Sequence, residues 1–313
     1  MVSTRQNTQD NLMRLAAQRI LYDDVRRMQL MRAIVTVVIP VFASLSRILL
    51  NVPSIYRVVG WKPETWMLPV LGVFMVAIDQ FLLSNRLESN QQLASAIQEQ
   101  FDCDVLRMPW NHVICGRPPT KEDIVGYARR INSADDSKLR NWYATPHEAN
   151  LPHAVLAALC QRSNISWDQS QRRYYINRTI VTGTVTAGLL VIIAVIQNST
   201  VRTFMSVVSG MLPVTLFLRN EVVNNQRAVL RLTAMRDTVE TIWDLLMQTQ
   251  FDTERIQTIS RQLQDLIYYH RGQAPVLPKW VYAYGRTRAE SKMAVTAEAL
   301  AQEYLTKATI SAP

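Results

Sequence analysis

Several chemical signatures are missing from this sequence. It has no glycine-rich phosphate loop, no G-x-S-x-G and no H-E-x-x-H, which leaves no familiar phosphate cradle, nucleophile elbow or zinc-protease helix. Cysteine is scarce: Cys103, Cys115 and Cys160 are the full set. An odd number of them, all in a stretch read below as cytoplasmic, argues for free thiols rather than a disulfide framework. Cys103, His112, Cys115 and His153 have the right donor atoms for zinc, but no C-x-x-C pair fixes a geometry, so no metal is expected. Asp102-Cys103-Asp104 imitates the D-x-D pair of nucleotidyltransferases, yet the residues before it read as the end of a helix rather than a Gly-Ser turn. His147 and His270 have no evident partners in the sequence, and there is no internal repeat or low-complexity tract. The expectation is a protein that is not an enzyme and carries no cofactor.

Four apolar runs stand out instead: Ala33–Leu50, Trp66–Leu83, Thr179–Gln197 and Val201–Leu218. Each is about as long as an α-helix must be to cross ~30 Å of hydrocarbon at ~1.5 Å per residue. The mean hydropathy of −0.02 hides them by averaging with very polar segments. Net charge is +9, and its distribution is informative. Arg5, Arg14, Arg19, Arg26, Arg27 and Arg32 precede the first run, and most other cations lie in the central stretch and the C-terminal third. The positive-inside rule then places both termini and the central stretch in the cytoplasm of a multi-pass membrane protein. The first run sits behind a charged helix-like segment with no small-residue cleavage site, so it reads as a retained span.

The expected fold is a mainly α membrane protein with four transmembrane helices, a small α+β cytoplasmic domain between the second and third spans, and a helical C-terminal region. Its divisions are 1–32 (amphipathic helix), 33–83 (first helix pair), 84–177 (cytoplasmic sensor), 178–218 (second pair) and 219–313 (C-terminal helices). Met13, Ala17, Leu21, Val25 and Met28 form one stripe of the first helix, which lies on the membrane or packs on the cytoplasmic domain. Phe101–Trp110 reads as a short strand or extended segment. Helices are expected over 121–132, 137–143 and 152–161, with a further one starting at Asp168, which would cap it. Ala228, Leu232, Met235, Val239, Ile242 and Leu246 alternate spacings of three and four, a coiled-coil-like seam suited to an αα-hairpin or to homo-oligomerisation. Asp252 starts a second helix, and a last one covers 288–307. Pro40, Pro69 and Pro213 interrupt apolar runs and are candidate gating points. Asp79 is an acid within the second run, a candidate pore residue or an interfacial partner for Arg86.

The central stretch is rich in arginine and aromatics. Trp110, Asn111, Trp142, Tyr143, Arg162, Asn164, Trp167, Arg172 and Arg173 are the candidate ligand-binding residues. Guanidinium forks pair phosphate oxygens, indole and phenol faces stack on bases, and Asn reads base edges. That inventory suits a small anionic nucleotide rather than a DNA or RNA polymer. It also suits juxtamembrane arginines held near anionic lipid, and residue types alone do not separate the two.

The strings LAAQRILYDDVRR, FDCDVLRMPWN, LRNWY and LCQRSNISWDQSQRRYY resemble the SMODS-associating four-transmembrane effector family, from about residue 5 through the fourth run. Gln171 departs from the pattern, where an apolar residue is expected before the paired arginines. The resemblance implies a pore-forming effector of a CBASS-like antiphage system. A cyclic oligonucleotide second messenger would gate it, and disruption of the inner-membrane bilayer would abort the infection. Its motif positions here are Trp110, Asn111, Cys160, Gln161, Arg162, Ser163, Asn164, Trp167, Asp168, Arg172 and Arg173. The alternative is a membrane-anchored scaffold that recruits a protein partner through its C-terminal helices. An ordinary ion channel would need a repeated acidic or carbonyl-rich filter sequence, which is absent.

Overall fold

The computed structural model describes residues 1–39, 42, 46, 84–131, 139–196, 212–250 and 252–310. The described residues are helices and short connections, with no strand among them. The helices are α1 (Val2–Gln6), α2 (Gln9–Ala33, continued by a π-helical stretch Ile34–Val38), α3 (Ser84–Val105) and α4 (His112–Cys115). They continue as α5 (Lys121–Ala128), α6 (His153–Ile196), α7 (Leu212–Leu246), α8 (Thr253–Gln273) and α9 (Lys279–Ile310). Contacts divide the chain into two units, one of Met1–Val25, Ser89–Tyr174 and Gln226–Pro313, the other of Arg26–Glu88 and Tyr175–Asn225.

The expected α+β insert is therefore corrected to an all-helical one among the described residues. Ala94, Ile97, Phe101 and Val105 are each fully buried and three or four residues apart, so the helical period runs unbroken through the segment read as a strand. Only after Leu106 does the chain turn, with Arg107 at φ 51°. The helix expected over 137–143 is also absent from its described part, 139–143, which is turns and bends. Asp168 starts no helix. It lies in the middle of α6, a single helix of 44 residues, because no proline or glycine interrupts 153–182. Helix α9 begins at Lys279, earlier than the expected 288.

The expectation of four membrane spans is corrected as well. No helix among the described residues is long and apolar enough to cross a membrane. The second run lies wholly outside them, as do half of the first and most of the fourth, together with Pro40, Pro69 and Asp79. Pro213 falls in the first turn of α7 as described. The third run forms the end of α6, where Ile180, Val181, Val185, Leu189, Ile192 and Val195 are all exposed. Within this second unit, Tyr175 donates to Glu221 at 3.0 Å. A Cβ at Gly183 would stand 3.3 Å from Leu218 Cδ1, so the absence of a side chain there admits the neighbouring leucine.

The first unit has one apolar core. Leu15 and Leu21 of α2, Ile97 and Phe101 of α3, and Leu159 of α6 meet Leu232, Val239 and Ile242 of α7 with Leu263 of α8 and Ala301 of α9. The N-terminal helix thus packs its stripe against protein. All six seam residues from Ala228 to Leu246 are buried, so the expected oligomerisation seam is used inside this unit. Ile256, Leu263 and Ile267 of α8 are buried in the same core, while Leu266 is exposed.

A buried polar clamp runs alongside the core. Arg271 of α8 donates to Asp102 of α3 at 2.6 Å, and Arg261 donates to Glu99 at 2.6 Å. Gln264 donates to both carboxylates, at 2.8 Å to Glu99 and 3.0 Å to Asp102. Tyr143 adds its hydroxyl to Asp102 at 2.7 Å. Glu99 and Asp102 are fully buried, a position that charged groups hold only when paired and hydrogen-bonded. Asp102 of the D-x-D string is thus occupied in joining α3 to α8.

Candidate functional site

One face of α6 carries Leu159, Arg162, Ser166, Ser170 and Arg173, spaced by three or four residues as a helical face requires, with Ser163 at its edge. Trp167 lies beside them, and Arg236 of α7 and Lys292 and Thr296 of α9 close a groove of about 120 Å³. Its lining holds four cations and several hydroxyls. Glu240 is their counter-charge: it pairs with Arg162 through one oxygen and with Arg236 at 3.6 Å through the other. Arg173 and Lys292 are exposed and form no ion pair among the described residues. Trp167 stacks on Tyr282 with ring centroids 5.3 Å apart and planes at 18°. Serine hydroxyls, guanidiniums and an indole in one groove can bind phosphate oxygens beside an aromatic ring.

Of the candidate ligand residues, Arg162, Trp167 and Arg173 meet here. The others are placed differently. Trp110 donates its indole N–H to Gly116 O at 2.9 Å and lines a separate depression of about 370 Å³ with Arg5, Arg14 and Arg107. Asn111 caps α4, accepting from the amides of Val113 and Ile114, and donates to Asp265 at 2.9 Å. Asn164 donates to the Tyr143 hydroxyl at 2.6 Å, which ties it to the buried clamp. Trp142 sets its ring edge-on to Phe101 at 6.4 Å.

Arg172 is buried, bonded to Asp168 at 3.0 Å and to Pro275 O at 3.0 Å. Asp168 also bonds His270 Nε2 at 2.8 Å. Burial alone would raise the Asp168 carboxyl, but Arg172 and His270 outweigh it and hold it well below the usual carboxylate range. Burial pushes the His270 imidazole below its ordinary 6.5, the cations Arg172 and Arg231 add to that, and Asp168 opposes them. Above its ordinary 6.5 His270 is thus neutral in the folded chain, and it donates to the Asp168 carboxylate through Nε2.

A pH dependence follows. An unfolded chain takes up a proton at His270 as pH drops below 6.5, while the folded chain resists it. The stabilisation is therefore complete above that pH and is lost as pH falls toward the folded value, at up to about 1.4 kcal/mol per pH unit for one proton. The His270→Gln variant keeps a donor at the same place and cannot titrate. Its melting temperature between pH 7 and pH 5 should fall less steeply than that of the parent chain. An equal slope would show that other groups carry the acid sensitivity.

The cysteines are buried and free. Burial pushes the Cys115 thiol up to about 12 and raises Cys103 and Cys160 as well, which suppresses thiolate chemistry at neutral pH. Among the described residues no group of His, Cys, Asp and Glu suits a metal ion. His147 pairs with Glu298 at 2.7 Å. Sequence reading missed Arg236, Lys292 and Glu240. Ser166 and Ser170 were recoverable from the spacing on α6, but nothing local marks which residues of α7 and α9 face that helix.

Residues 1–300 match the family described as the SMODS-associating 4TM effector domain. The chain belongs to that family. It is also 24% identical over 295 residues to a Bacillus cereus (strain VD146) protein named "Probable CBASS effector molecule", covering 92% of this chain and 94% of the relative. No solved structure matches the chain.

Proposed function

We propose that this protein is a CBASS effector that acts on the inner membrane when a cyclic oligonucleotide binds the groove on α6. One observation carries the reading: the groove's Arg162, Trp167 and Arg173 and the exposed apolar residues Ile180, Val181, Val185, Leu189, Ile192 and Val195 belong to one continuous helix. A helix is stiff over a few turns, so a ligand that shifts its basic half also moves its apolar half. The apolar run is the part that meets lipid or a second copy of the chain, and several copies enclose the space a pore needs. Family membership and the relative's printed name agree with an effector role. The recruiting scaffold has less support, since the seam offered for a partner is buried.

Purified full-length protein in dye-loaded liposomes tests the reading. Leakage is expected only after an activating cyclic di- or trinucleotide is added. Arg173 is exposed and unpaired among the described residues, so Arg173→Ala should leave the melting temperature unchanged. A charge-assisted contact contributes about 1.5–3 kcal/mol, so its loss should weaken binding roughly tenfold to a hundredfold. Leakage without nucleotide, or nucleotide binding with no loss of ion gradients, would overturn the gated pore.

A further inference from the structure

We propose that Glu240 is a built-in competitor for the groove, a carboxylate that the ligand's phosphodiester must displace; this rests on the groove being the ligand site. Glu240 is the acid that holds two of the groove's arginines, and it gives one oxygen to each. A phosphodiester is also a monoanion with two equivalent exposed oxygens, so it can take the carboxylate's place between Arg162 and Arg236 and pair with both. The exchange is inexpensive for the protein. The Glu240 side chain is 40% exposed, and on release it returns to water one helical turn from Arg236 without leaving a buried charge behind. The Arg236–Glu240 pair is exposed on both sides and therefore weak, while Arg162 is largely buried, so Glu240 is a counter-ion that leaves Arg162 only when a ligand phosphodiester takes its place.

The arrangement has a functional consequence. With Glu240 seated, Arg162 and Arg236 are held by an internal anion, and Arg173 and Lys292 are the cations that meet an arriving ligand first. A ligand with one phosphate can use those two alone. A ligand with two or more phosphodiesters in a ring gains the second pair of arginines as well, but only by displacing Glu240. The carboxylate therefore raises the threshold for binding and favours ligands with several phosphodiesters over mononucleotides.

Calorimetric titration of the full-length chain in detergent tests this, with cyclic di-AMP, cyclic GMP–AMP, cyclic tri-AMP and AMP as probes. Glu240→Gln removes the competing charge and keeps the size, and should tighten the binding of cyclic probes about two- to thirtyfold. Its preference for a cyclic probe over AMP should narrow. Glu240→Ala should behave in the same direction, which guards against an effect peculiar to glutamine. Lys292→Gln should weaken binding in both backgrounds. If the parent chain binds, Arg173→Ala weakens it, and both Glu240 variants bind no more tightly than the parent while melting at the same temperature, the competitor is overturned and the groove stands. Loss of both melting temperature and affinity in the Glu240 variants would make the residue a structural pair and also overturn the competitor. If no probe binds either the parent or the Glu240 variants, the groove reading falls and the competitor falls with it.

Discussion

Asp102→Ala should destabilise the full-length chain by about 3–5 kcal/mol, the usual loss when one partner of a buried ion pair is removed. Asp102 is fully buried and accepts from Arg271, Gln264 and Tyr143. Its removal strands the Arg271 guanidinium in the core and leaves a phenol and an amide short of an acceptor. Because Asp102 lies on α3 and Arg271 on α8, the damage separates the central stretch from the C-terminal region. Urea denaturation followed by circular dichroism would show it as a lower midpoint. The double variant Asp102→Leu, Arg271→Met replaces both charges by apolar groups and should recover much of the loss, since a buried pair is weak evidence of net stabilisation. A single variant that unfolds at the parent's midpoint would mean that solvent reaches this pair.

Leu232→Asn is expected to have an effect of similar size. Leu232 is 2% exposed, and its replacement forfeits the burial of a leucine side chain and introduces an amide with no arranged partner. Together these amount to roughly 3–5 kcal/mol. Leu230, two residues earlier on α7, is 69% exposed, and Leu230→Asn should stay within about 0.5 kcal/mol of the parent. The pair separates two roles for the seam. A core role predicts that Leu232→Asn unfolds and Leu230→Asn does not. A seam between protomers predicts a folded Leu232→Asn chain that has lost self-association, as size-exclusion chromatography with light scattering would show.

Much of the helical layout was legible because its signals are local. Thr120 followed by Asp123 promises a capping box, and the structure has it, with each side chain bonded to the other's backbone. Asp252 before a run of period 3.6 promises an N-cap, and it accepts from the Arg255 amide. The stripe from Ala228 to Leu246 was readable for the same reason: burial imposes a period that any window of the chain displays.

The strand reading of Phe101–Trp110 failed because the helical period that holds Phe101 and Val105 starts further upstream, at Ala94, and only its last turn falls inside that window. Asp168 misled in a related way. An acid ahead of a helical stretch has the composition of a cap, but here it accepts from Arg172 and from His270, a histidine about a hundred residues away. The candidate ligand residues shared a composition and not a place. Arg162, Trp167 and Arg173 are neighbours on one helix face, whereas Asn111 is spent on capping, Asn164 on the clamp and Arg172 on an internal ion pair.

Sequence by itself determined the helical periods, the caps and the uneven placement of charge, because each depends on residues within a few turns of one another. It also carried the motifs that match the effector family over residues 1–300. Only the tertiary structure decided which arginines are free to meet a ligand and which are already neutralised. That depends on α3, α6, α7, α8 and α9 being packed side by side, and a guanidinium's partner across such a contact leaves no trace in its own neighbourhood of the chain. Arg172 and Arg173 are adjacent in sequence, yet one is held by Asp168 inside the protein and the other faces the groove. Their helix turns by about 100° between them, and the packing around it sets which side is core.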